Sequence, residues 1–148
     1  MGTVSRFRKL SYGNLHLLSE ALFWVGVIRF IVYFFPFRTL TLLIGRPVKV
    51  GEGCTTTSLS LQGTGKKVAW SVRAVSRRVP WESQCLVQAA SARMMLSRRG
   101  MPSTLYLGVR RESPQEGGMK PHAWLATGSS VILGGGELDS YVAVSSFK

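Results

Sequence analysis

The longest apolar run, Ala21 to Phe35, follows a basic start carrying Arg6, Arg8 and Lys9. Arg29 interrupts that run, Glu20 precedes it and Pro36 ends it. No uncharged stretch therefore approaches the ~18 residues that a spanning helix needs. No small-residue cleavage site follows, which argues against a secretory signal. The pattern predicts a helix that either packs on the rest of the chain or a partner, or lies on an anionic lipid surface. A second short helix is expected over 40–44, closing at Gly45 with Pro47 beyond it as a stop.

Residues 48–65 are rich in Gly, Ser and Thr. They read as a linker between an N-terminal helical segment, 1–47, and a main domain, 66–148. Within that domain Val68, Val72, Val75 and Val79 recur at helical spacing. Pro80 then breaks the chain, and a helix is expected from it to Arg99, with Leu86, Ala89, Ala90 and Met94 inward and Gly100 and Pro102 as stop signals. Alternation predicts a strand over 104–110. Two more, 122–127 and 131–134, are joined by a turn at 128–130, and a last one covers 141–144. A helix followed by antiparallel strands makes an α+β fold, preceded by an apolar helical segment.

Length and composition narrow this without changing it. A chain of 148 residues with 45% hydrophobic and 18% charged residues suits one domain with an appendage. A formal charge of +12 favours acidic partners. The cations come as scattered pairs, such as Arg77-Arg78 and Arg110-Arg111, without interleaved aromatics or a nucleic-acid-binding motif, so nucleic acid is not expected. Cys54 and Cys85 are the two cysteines. They do not make a disulfide framework and are expected reduced in a cytoplasm, with membrane association left open by the first helix. Neither a structural metal nor a cofactor is expected, because Cys54, Cys85, His16 and His122 would have to converge without one local ligand pair.

The chemistry lies in Cys85 and His122. A cysteine early in a helix feels the positive end of the helix dipole, which favours the thiolate. Alone, such a residue is more often a small buried hydrophobe. His122, expected to open a strand after a polar loop, supplies the partner: a helix-borne thiol facing a strand-borne imidazole is the arrangement of papain-like nucleophilic catalysis. The other histidine, His16, falls in the appendage and is expected at the surface. Trp124 reads as packing beside the site.

These residues resemble a known family. Cys85-Leu-Val-Gln-Ala89, Leu96-Ser-Arg-Arg-Gly-Met-Pro102, Leu107-Gly-Val-Arg110 and His122-Ala-Trp124 are similar to the peptidase half of the lasso-peptide maturation system, a transglutaminase-like cysteine protease. Phe35-Pro-Phe-Arg38 and Leu42-Leu-Ile-Gly45 resemble its short N-terminal region. The resemblance implies a papain/transglutaminase-like core that removes the leader from a ribosomally made precursor peptide. It also implies a separate leader-binding protein that delivers the precursor, and an ATP-dependent cyclase that closes the ring afterwards. The family places an acidic residue about a dozen positions after the histidine, where this chain has Gly134. Glu137 and then Asp139 are the nearest acids able to orient the imidazole, and a backbone carbonyl or a water can do the same. The backbone N–H of Cys85, with Gln84 or Trp81, is expected to stabilise an oxyanion. Two other functions fit the same residues: acyl transfer to an amine, and a non-catalytic adaptor for a membrane surface or an acidic partner.

Overall fold

The computed structural model describes residues 12–50, 59–80, 85–111, 118–136 and 138–148. Among these residues, helices α1 (Tyr12–Phe34), α2 (Phe37–Ile44), α3 (Leu59–Ser76) and α4 (Cys85–Ser97) pack with one antiparallel sheet. Its strands are β1 (Pro47–Val48), β2 (Thr104–Arg111), β3 (Met119–Thr127), β4 (Ser130–Leu133) and β5 (Val142–Phe147), in the order β1-β5-β2-β3-β4. The expected α+β class, with an apolar N-terminal helix, is what the chain forms.

α4 sits between the other helices and the sheet. Val87, Ala89, Ala90, Ala92, Met95 and Leu96 are all fully buried, so the helix has no solvated face for most of its length. The expected inner residues Leu86 and Met94 are only half-buried, because both sides of this helix are covered and the one-sided pattern does not apply. Small residues at 89, 90 and 92 let α1 and α3 approach closely from one side and the sheet from the other.

α1 docks on this core through Ala21, Val25 and Ile28, all buried. Glu20, beside them, meets Arg99 at the end of α4, at 2.6 Å from Oε2 and 3.0 Å from Oε1. By length and composition α1 could cross a bilayer, yet its inner face belongs to the domain core.

The Gly/Ser/Thr-rich stretch is shorter as irregular chain than its composition predicts. Pro47 and Val48 pair with Phe147 and Ser146 at the sheet edge, and α3 has already begun by Leu59. Gly65 lies inside α3 in contact with Ile132 and Thr127, where the absence of a side chain permits close helix–sheet packing. At the end of α2, Gly45 has φ of +113° and no room for a Cβ against the Lys148 carbonyl. Arg93 of α4 closes the same corner. Its guanidinium donates to the carbonyls of Ile44 and Ser103 and to the Ser103 hydroxyl at 3.2 Å. Burial pushes this guanidinium below its ordinary pKa.

Candidate active site

Cys85 is the first residue of α4, half-buried and a free thiol. Gln84 and Trp81, expected as oxyanion donors, and Cys54 lie outside the described residues.

His122 is the fourth residue of β3 instead of its first, because β3 starts at Met119, opposite Arg111. The strand's first three residues are exposed and everything from Ala123 to Thr127 is buried. His122 thus occupies the step between a solvated strand end and the core. Across the sheet it pairs with Gly108. A side chain at 108 would collide with the Trp124 ring at 2.6 Å, so glycine there lets Trp124 lie flat beside the site. Trp124 is buried, stacks on Tyr106 at 5.6 Å and has its centroid 6.1 Å from that of His122.

The imidazole is held from two further directions. Its Nε2 lies 2.8 Å from the backbone carbonyl of Gly134, and the Tyr141 ring packs on it at 4.9 Å. A carbonyl oxygen only accepts, so Nε2 carries the proton and, in the neutral ring, Nδ1 keeps its lone pair. Gly134 is the position where the resembling family has its acid. Here φ is +75°, and a Cβ would lie 2.6 Å from the Ala123 carbonyl. The chain at this point has no room for a carboxylate side chain, and its main chain supplies the acceptor instead. Of the two expected acids, Glu137 lies outside the described residues. Asp139 is exposed on a 3-10 turn, Leu138–Ser140, and it is the Gly134 carbonyl that meets the imidazole.

Cys85 and His122 line two cavities in common. One, of about 500 Å³, is walled by Phe37, Leu86, Leu107, Val109 and Val144 and is mainly apolar. The other, of about 730 Å³, is walled by Arg73, Gln88, Arg110, Lys120 and Tyr141 together with the glycines at 134–136. Arg73 donates to the Ile132 carbonyl at 2.9 Å, and the Arg110 guanidinium lies over the Tyr141 ring at 5.5 Å. The thiol and the imidazole therefore stand where an apolar hollow meets a cationic one. Sequence reasoning missed Tyr141, which read only as the start of a strand. It also missed Phe37, a residue of the N-terminal segment that reaches the site. His16 is exposed on α1, away from both cavities.

No curated protein and no solved structure matches the chain. The family description "Transglutaminase-like superfamily" matches residues 32–146, from the last turn of α1 to the penultimate residue of β5. A thiol on α4, an imidazole on the neighbouring strand and a match over most of the chain agree: the protein belongs to the transglutaminase-like superfamily, whose cysteine chemistry serves peptidases and acyltransferases.

Proposed function

We propose that the protein is a cysteine peptidase that removes the leader from a ribosomally synthesised lasso precursor. A separate leader-binding protein delivers that precursor, and cleavage precedes ATP-dependent ring closure. The observation that carries this reading is the placement of Cys85 and His122 on the walls of the same two cavities, with Nε2 engaged by Gly134. That engagement leaves Nδ1 as the basic atom for the thiol.

The chemistry follows from that arrangement. His122 takes the thiol proton, and the Cys85 thiolate attacks the scissile carbonyl carbon. The C–N bond breaks as the imidazolium returns its proton to the departing amine, leaving an acyl thioester. Water, deprotonated by the same imidazole, then cleaves the thioester to a carboxylate and restores the thiol. The amine released is the one that ring closure requires. The apolar cavity accommodates an uncharged side chain of an extended peptide, and the cationic one suits an acidic group beside it. Glu137 and Asp139 are the acids nearest in sequence to Gly134, but the main-chain acceptor makes neither necessary.

The test is incubation with the precursor of a lasso peptide and its leader-binding partner, followed by mass spectrometry. Two new masses that sum to the precursor plus water are expected. Cys85→Ala and His122→Ala each lower the rate at least 10³-fold while circular dichroism is unchanged. With a primary amine added, an amide-bearing product in place of the acid identifies an acyltransferase. An uncleaved precursor with folded partners removes the peptidase reading.

A further inference from the structure

α1 has two apolar faces, and the fold uses one. Ala21, Val25 and Ile28 are buried, while Leu15, Leu22, Phe23, Phe30, Tyr33 and Phe34 form a second stripe on the opposite side. Their exposure is large for such side chains: 55% for Phe30, 74% for Tyr33 and 64% for Phe34. From Leu15 to Phe34 the stripe is about 29 Å long, since each residue of a helix rises about 1.5 Å. It continues past the helix end through Phe35 to Phe37 and Leu42, the last 86% exposed. The rings at this end touch one another, Phe30 to Phe34 at 4.6 Å and Tyr33 to Phe34 at 4.9 Å. An apolar surface of this extent is unusual on a solvated protein.

We propose that this face seats the protein on an anionic lipid surface, with α1 lying parallel to the membrane. Charge selects this occupant. The stripe carries no carboxylate, since the helix's single acid, Glu20, is turned into the domain against Arg99. Its borders are cationic, with Arg29 on α1 and Arg38 exposed on α2. Arg6, Arg8 and Lys9 precede it in the sequence, and the chain as a whole is +12. Aromatic rings at the rim of an apolar stripe, with cations beside them, are the residue types that partition to the boundary between headgroups and acyl chains. An apolar groove of about 530 Å³ opens between α1 and α3, sharing Leu15 and Leu22 with the stripe and reaching Val75, Val79 and Arg78. Its walls suit an acyl chain. Crossing the bilayer would strip Ala21, Val25 and Ile28 from the core and break the Glu20–Arg99 pair, so the helix lies on the surface. Phe37 belongs to this face and also lines the apolar cavity at Cys85, which brings the site's mouth beside the membrane.

Co-sedimentation of the whole protein with unilamellar vesicles tests this. Binding is expected to phosphatidylcholine vesicles containing phosphatidylglycerol and to weaken as salt rises; pure phosphatidylcholine should bind at least tenfold less. The combined variant Phe30→Gln, Tyr33→Gln and Phe34→Gln, all at exposed positions, should lose at least tenfold in partition constant with its circular dichroism unchanged. Arg38→Glu should lose about tenfold, through removal of one cation and addition of one anion. Equal binding by wild type and triple variant overturns the proposal, as does failure to bind anionic vesicles. A dimer in sedimentation velocity that the triple variant dissociates, without lipid binding, also overturns it and assigns the stripe to a second copy.

Discussion

Behind Cys85 the chain is fixed by side chains. α4 is enclosed by α1, α3 and the sheet, and Arg93 and the Glu20–Arg99 pair tie its far end to segments distant in sequence. Around His122 the main chain does the holding: a carbonyl at Gly134, a glycine opposite at 108, and two half-buried or buried rings. Dense packing distributes the position of the thiol over many contacts, so no single one decides it. The imidazole depends on a few atoms, and one residue can displace it. The two halves of the site should therefore fail differently, the first in stability and the second in turnover.

The largest effect is expected on the side-chain-held half. Arg93→Met keeps the bulk but leaves the buried carbonyls of Ile44 and Ser103 without a donor, at about 3 kcal/mol in all. Thermal unfolding should shift down by about 10 °C, while turnover per folded molecule stays within a factor of two. A loss of turnover without a loss of stability would break the division just drawn. Gly134→Ala sharpens it from the other side. With φ at +75° and the Ala123 carbonyl 2.6 Å from the new Cβ, the loop must shift and take its own carbonyl from Nε2. A fall of about 10²-fold in kcat with KM little changed is expected, equivalent to about 2.7 kcal/mol of transition-state stabilisation. Alkylation of Cys85 by iodoacetamide should slow in parallel, which a merely structural role would not produce.

The same contrast explains what could be read from the sequence. Strands β2 to β5 are legible because alternation and Gly-rich turns are local signals. α3 was read too short, since Gly63 and Gly65 count as loop formers until Ile132 and Thr127 are seen against Gly65. The one-sided pattern given to α4 failed because no local signal reports that a helix is covered on both sides. The pattern of residues 1–47 leaves packing on the domain and docking elsewhere both open, and α1 and α2 supply core residues and Phe37 a wall of the apolar cavity. The acceptor for His122 is legible only as one alternative among several: the sequence leaves acids, a backbone carbonyl and a water open, and the Gly134 carbonyl is the one that meets the imidazole.

Glu20 gives the smallest of these effects and the one with a pH sign. The hydrogen bond from Arg99 holds its carboxyl below the ordinary carboxylate value, against an opposing push from burial, and the charges of Arg99, Arg98 and His16 add to the lowering. A carboxyl whose folded pKa is depressed stabilises the fold above its unfolded value, near 4.5, and loses that contribution as pH falls through the folded value. Glu20→Gln should therefore cost about 2 kcal/mol at neutral pH, the scale of a hydrogen bond to a charged group that is largely screened from water. The gap between wild type and variant should narrow as pH drops below about 4.5 and close once the wild-type carboxyl is protonated. Denaturant midpoints measured across that range decide it. A gap that stays constant with pH would mean that Glu20 holds α1 by shape alone, and that the docking of the first helix does not depend on its charge.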